Sequence, residues 1–76
     1  MALPSPDDRP MHIQLNGRDT EVPGGLTARG LVERLELTGK RIAMEVNGEI
    51  LPRSVFAEHR INDGDRIEIV HAIGGG

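Results

Sequence analysis

Two Asn-Gly pairs, Asn16-Gly17 and Asn47-Gly48, constrain this chain more than any other feature. A two-residue hairpin loop of the type I′ kind needs positive φ at both central positions, and Asn followed by Gly reaches them with the least strain. Each pair lies beside runs that alternate as half-buried strands must. "MHIQL" sets Met11, Ile13 and Leu15 against His12 and Gln14 before the first turn, and "RDTEV" returns after it. "RIAMEV" places Ile42, Met44 and Val46 on one side before the second turn; Glu49 to Leu51 then form a short returning strand that Pro52 ends. Two hairpins are therefore expected.

Between them, Pro23-Gly24-Gly25 closes the first hairpin and Thr27 stands where an N-cap hydroxyl can accept from a helix amide. Leu26 and Leu31 have the spacing of a hydrophobic staple. Leu31, Val32 and Leu35 are expected to share the buried face of this helix, with Arg29, Glu33, Arg34 and Glu36 around the rest. Gly30 weakens the first turn by about 1 kcal/mol relative to alanine, so the helix depends on tertiary packing. Thr38-Gly39 is the expected stop, with Gly39 in the left-handed conformation. Farther on, "RSVFAEHRI" reads as a short helical turn, with Val55, Phe56 and Ile61 covering one edge of the core. Asn62 to Asp65 form a turn cluster, and "RIEIVHAI" is the final strand, in which Ile67, Ile69 and His71 alternate with Glu68, Val70 and Ala72.

The order strand, strand, helix, strand, short strand, strand fits an α+β fold of the ubiquitin-like β-grasp kind. Its mixed four- to five-stranded sheet packs on one α-helix, because sheet and helix each have a single apolar side to bury. The first and last strands then lie parallel at the sheet centre. Residues 11–73 are read as this domain. Residues 1–10, with three prolines and three charges and no periodicity, read as a disordered leader, and residues 74–76 as a flexible glycine tail.

Composition narrows the chemistry. The chain has no cysteine, which removes disulfides, thiolate metal sites and cysteine nucleophiles. A net charge of −3 with the two signs interspersed provides no basic stripe for nucleic acid. No apolar run reaches the roughly 18 residues of a membrane span, and the first ten residues lack a signal-peptide core. A cytoplasmic protein, monomeric when free, is expected. His12, His59 and His71 are spread over separate elements without ligand spacing, so no metal site is expected. Asp63 and Asp65 flank Gly64 as turn formers, since Arg66 to Glu68 continue as strand where a calcium loop would need more length. Gly24-Gly25 precedes a helix start, where amides can hold anions, yet the second glycine and lysine of a phosphate loop are missing. Ser54 has no identifiable base to activate it. An enzyme acting alone is a poor fit.

What remains is the terminus, Gly74-Gly75-Gly76. Glycine tails commonly fray. The other reading makes the Gly76 α-carboxylate the functional group and the glycines its means of entering a narrow site. Pleat alternation in the last strand supports the second reading, because it puts Val70 and Ala72 on the face opposite Ile67 and Ile69, with Ile73 following in the tail. Together the three apolar residues form a candidate docking patch.

"VNGEILPR" at 46–53, "NDGDRIEIV" at 62–70 and the terminal "AIGGG" resemble the sulfur carriers of bacterial thiamine biosynthesis, the ThiS family. The resemblance runs from Met11 to Gly76 and includes the hairpin and the "LTARGLVERL" helix. It implies a carrier with no catalytic residue and no bound cofactor of its own. A ThiF-type adenylyltransferase would bind ATP and join Gly76 to AMP, while Gly74 and Gly75 thread the partner's active site. An α-carboxyl group with an ordinary pKa, about 3.3 to 3.7, is already an anionic nucleophile near neutral pH. A persulfide supplied by a cysteine desulfurase would then convert Gly76 to a thiocarboxylate, the sulfur donor for a ThiG-type thiazole synthase. Two relatives share parts of the pattern. The small subunit of molybdopterin synthase has the same fold and terminus, but its residues look less like "VNGEILPR" and "EIVHAIGGG". TGS-type regulatory or RNA-associated modules share the "VNGE" and "DGD" punctuation, yet they need no free Gly-Gly end, and this chain lacks the aromatics that stack bases.

Overall fold

The computed structural model describes residues 9 to 71. Strand β1 (Met11–Leu15) turns through Asn16 and Gly17, at φ 50° and 82°, into antiparallel β2 (Arg18–Val22). Helix α1 (Ala28–Arg34) follows. β3 (Ile42–Val46) then turns through Asn47 and Gly48, at φ 53° and 87°, into β4 (Glu49–Leu51). A 3₁₀ helix (Arg53–Val55) leads to β5 (Arg66–His71). Both Asn-Gly pairs thus adopt the positive φ values that a type I′ turn requires.

The five strands form one mixed sheet in the order β2-β1-β5-β3-β4. β5 lies at its centre, parallel to β1 and antiparallel to β3. This is the β-grasp arrangement expected from the element order. α1 covers one face, and a single core joins sheet to helix through Ile13, Val22, Ala28, Leu31, Met44, Phe56, Ile61 and Ile67, among others. Ala28 is fully buried at the first turn of α1, a core position that large apolar residues in the sequence do not reveal.

Thr27 caps α1 as expected, its hydroxyl accepting from the Gly30 N–H at 3.1 Å. The two preceding helix amides are also taken. The Ala28 N–H donates to the His59 carbonyl at 2.9 Å and the Arg29 N–H to the Phe56 carbonyl at 3.0 Å. The segment after the 3₁₀ helix therefore plugs the helix N-terminus, and no free donors remain there for a phosphate. Gly30 has a packing reason: a Cβ at that position would lie 2.7 Å from Leu26 Cδ1, so the staple side chain lies over the space that glycine leaves.

The end of the helix departs from expectation. α1 stops at Arg34, and Glu36, not Gly39, is the left-handed residue that ends it, at φ 58°. The Glu36 N–H donates to the Glu33 carbonyl at 3.0 Å and the Leu37 N–H to the Val32 carbonyl at 2.9 Å, a Schellman closure. Leu37 is the reason. The closure returns it to the core, where it packs with the buried cluster, and that gain outweighs the roughly 1–2 kcal/mol of holding a non-glycine residue left-handed. Leu35 is consequently carried past the last helical turn and is 37% exposed, so it does not share the buried face with Leu31 and Val32. Gly39, at φ 81°, serves a separate turn closed by the Lys40 N–H on the Leu37 carbonyl. His71 is likewise exposed at the end of β5, and the inward alternation of Ile67 and Ile69 stops there.

Candidate functional site

The site is the mount of the C-terminal residues. Of the residues singled out for it, Val70 lies in β5, whereas Ala72, Ile73, Gly74, Gly75 and Gly76 lie outside the described residues. β5 is bound on both sides. On the β1 side, the Gln14 N–H donates to the Asp65 carbonyl and the Asn16 N–H to the Ile67 carbonyl, each at 2.9 Å. The Asn16 side chain then continues the ladder past the end of β1. Its Oδ1 accepts from the Ile69 N–H at 2.8 Å, and its Nδ2 donates to the Ile69 carbonyl at 3.3 Å.

Asn47 performs the matching task from β3. Its N–H donates to the Arg66 carbonyl at 2.7 Å, its Oδ1 accepts from the Arg66 N–H at 2.9 Å, and its Nδ2 donates to Asp65 Oδ1 at 3.0 Å. Asp65 is the sole buried charged residue among those described; its second oxygen takes the Asn62 N–H at 2.8 Å. Both turn asparagines thus do two things, supplying a left-handed corner and a side-chain amide that grips β5. Asp63 is also a turn residue, its Oδ1 accepting from the His12 N–H at 2.8 Å. Asp63 and Asp65 are occupied in holding the start of β5, as their reading as turn formers requires.

Past Ile69 the support becomes one-sided. The β3 register continues through Ala43 opposite Val70 and Ile42 opposite His71, while the β1 pairing ends at Leu15 opposite Ile67. The last two residues of β5 are thus paired with β3 alone. Val70 points away from the helix and is 58% exposed. Ile50, on β4 and 74% exposed, lies on the same open face, because it pairs with Glu45, which shares a face with Ala43. The sequence reading missed Ile50 and Ala43. Their alternation was legible, but which face stays uncovered depends on the strand order.

Elsewhere the surface offers little chemistry. A cleft of about 270 Å³ lies between α1 and the 3₁₀ helix, bordered by Arg29, Glu33, Arg53 and Phe56, on the helix side of the sheet. Arg29 faces Glu33 at 3.7 Å, and the Arg53 guanidinium donates to the Lys40 carbonyl at 2.7 Å. Among the described residues, no three His, Asp or Glu side chains converge as metal ligands. No described helix is long and apolar enough to cross a membrane.

Strand order and helix together define a ubiquitin-like β-grasp domain whose last strand, β5, is central in the sheet. The model of the ThiS family matches residues 13–76, and the chain belongs to that family. It is 33% identical to the sulfur carrier protein ThiS of Escherichia coli K12 over 66 residues, which are 87% of this chain and all of that protein. The crystal structure of a thiamine biosynthesis protein, ThiS, from Geobacter metallireducens superposes with a TM-score of 0.75 at 32% identity, covering 87% of this chain and 100% of the other. A thiazole synthase of Paramagnetospirillum magneticum is 38% identical over 66 residues; the match takes in 87% of this chain but 20% of that protein's length.

Proposed function

We propose that this chain carries sulfur for thiazole formation in thiamine biosynthesis, on the carboxyl group of Gly76. The observation that supports the reading is the placement of β5: a central strand, gripped by Asn16 and Asn47, stands directly before the sequence Ala-Ile-Gly-Gly-Gly. Sulfur carrier relatives matched over all or nearly all of their length support it. So does the thiazole synthase that contains a similar segment, since a carrier and the enzyme it supplies gain effective concentration when joined.

In this reading a Gly76 oxygen attacks the α-phosphorus of ATP in a ThiF-type adenylyltransferase, and pyrophosphate leaves. The terminal sulfur of a desulfurase-derived persulfide then attacks the acyl carbon and AMP leaves. A thiol cleaves the resulting acyl disulfide, so Gly76 keeps one sulfur as a thiocarboxylate while the two partner sulfurs become a disulfide. This chain's own part is positional. Residues 72–76, extended at about 3.3 Å each, reach roughly 17 Å from the domain, and glycine admits the close backbone approach a narrow channel demands. Val70, with Ala72 and Ile73, supplies apolar contact to offset the ordering of the glycines, about 1–2 kcal/mol each. The chain is a co-substrate rather than an enzyme, binds no cofactor, and works in the cytoplasm.

The test is intact-mass analysis after incubation with a ThiF-type adenylyltransferase, ATP and a persulfide donor. Replacement of one oxygen by sulfur, confined to the C-terminal peptide and lost when Gly76 is deleted, is the expected result. An unchanged mass where the Escherichia coli relative is charged would reject the reading.

A further inference from the structure

The open face of the sheet has an uneven charge pattern. Its strand residues include four carboxylates, Asp19, Glu21, Glu45 and Glu68, against one guanidinium, Arg66. The two on β2 are engaged: the Gln14 amide donates to Asp19, and His12 Nε2 lies 3.4 Å from Glu21. The two at the centre are not. Glu45 and Glu68 stand directly opposite each other in the β3–β5 register, and neither carboxylate has an ion-pair or hydrogen-bond partner among the described residues. Arg66 does not neutralise them; its Nη2 leans toward the β3–β4 turn, 3.7 Å from where a Cβ on Gly48 would sit.

Like charges directly opposite on adjacent strands destabilise a sheet, so the two carboxylate charges do not help to hold it. Its surroundings suggest what it serves. One step along the register lies the Val70–Ala43 pair, and across Glu45 on β4 lies Ile50, so two unneutralised carboxylates sit within the exposed apolar patch. We propose that Glu45 and Glu68 form the charged centre of the docking face, and that the partner protein inserts an arginine between them while its apolar side chains cover Val70 and Ile50. A guanidinium presents a planar fork of donors that can serve both carboxylates at once, and closing the apolar ring around it removes water from the contact. This inference rests on the chain being a carrier that the adenylyltransferase charges, and it names the partner chemistry that carrier needs.

The test compares the full chain with a Glu45→Gln/Glu68→Gln double variant and with Glu68→Lys, measuring association with the adenylyltransferase by stopped flow. At about 0.01 M salt, where the Debye length is near 30 Å, the double variant is expected to associate about tenfold more slowly. Near 1 M salt, where that length is about 3 Å, the gap in association rate should close. Both variants should melt no lower than the parent, because the repulsion is relieved. Binding and stability moving in opposite directions is a signature that a structural role for the glutamates does not produce. Equal association rates at low salt would overturn the proposal, as would a lowered melting temperature in both variants. A dimer of this chain that tightens when the two glutamates are neutralised would also overturn it, by making a second copy the occupant. Failure of the parent chain to be thiocarboxylated at saturating enzyme would be a different result, removing the carrier reading itself.

Discussion

Asn16 offers the sharpest separation of two physical contributions, because one residue supplies both a left-handed corner and a side-chain ladder to Ile69. Asn16→Gly keeps the corner, at φ 50°, and deletes the amide. The Ile69 N–H then loses a 2.8 Å acceptor in a partly buried setting, which costs about 1–3 kcal/mol; with the weaker 3.3 Å bond also gone, the loss is about 2 kcal/mol. Asn16→Ala loses the same bonds and also places a Cβ in the left-handed region without local hydrogen bonding, adding about 1–2 kcal/mol. In a domain of this size each kcal/mol moves the melting temperature by about 4–8 °C, so Asn16→Gly should melt about 8–16 °C below the parent and Asn16→Ala lower still. Thermal and urea unfolding followed by circular dichroism would measure both, with an unchanged urea slope showing that the two end states are the same. If Asn16→Gly melted within about 2 °C of the parent, the amide would contribute nothing, and the account of how β5 is held at Ile69 would be wrong.

Other consequences can be measured in the same preparations. One residue added after Gly76 should abolish thiocarboxylate formation by intact mass while changing stability by less than about 0.5 kcal/mol, since the change follows Gly76, five residues after the end of β5 in the sequence. Val70→Asp should weaken binding to the adenylyltransferase in titration calorimetry while the domain stays folded, because Val70 is 58% exposed; global unfolding would place its side chain on the wrong face. Met44→Ala, at a fully buried centre of β3, should cost about 2–5 kcal/mol in urea denaturation. Gly30→Ala should leave the urea midpoint nearly unchanged, the propensity gain of about 1 kcal/mol being offset as Leu26 Cδ1 is displaced; the full gain would show that the staple side chain swings away freely.

The parts of this fold that can be read from sequence are those set by neighbours along the chain. Asn-Gly pairs between alternating runs imply hairpins, and Thr27 ahead of an apolar face implies a capped helix. The helix end could not be read that way. Glu36 adopts a conformation that its own chemistry disfavours, because burial of Leu37 decides the matter from outside the segment. The amide grips of Asn16 and Asn47 were hidden for a similar reason: they act on β5, 53 and 19 positions farther along, and exist only once the strand order is known. Within the candidate site, the outward face of Val70 followed from the pleat alone. The unpaired Glu45 and Glu68 and their neighbour Ile50 required the register.

The parallel pairing of β1 with β5 also has a mechanical meaning. Under the proposed function, a partner that draws the chain end into a channel would apply tension to β5. The bonds from Gln14, Asn16 and the Asn16 amide on one side, and from β3 on the other, then share that load in shear, so they must yield together rather than one after another. A tail leaving an edge strand would instead peel its sheet open bond by bond. A central exit lets the chain end be pulled hard while the globule behind it keeps its shape.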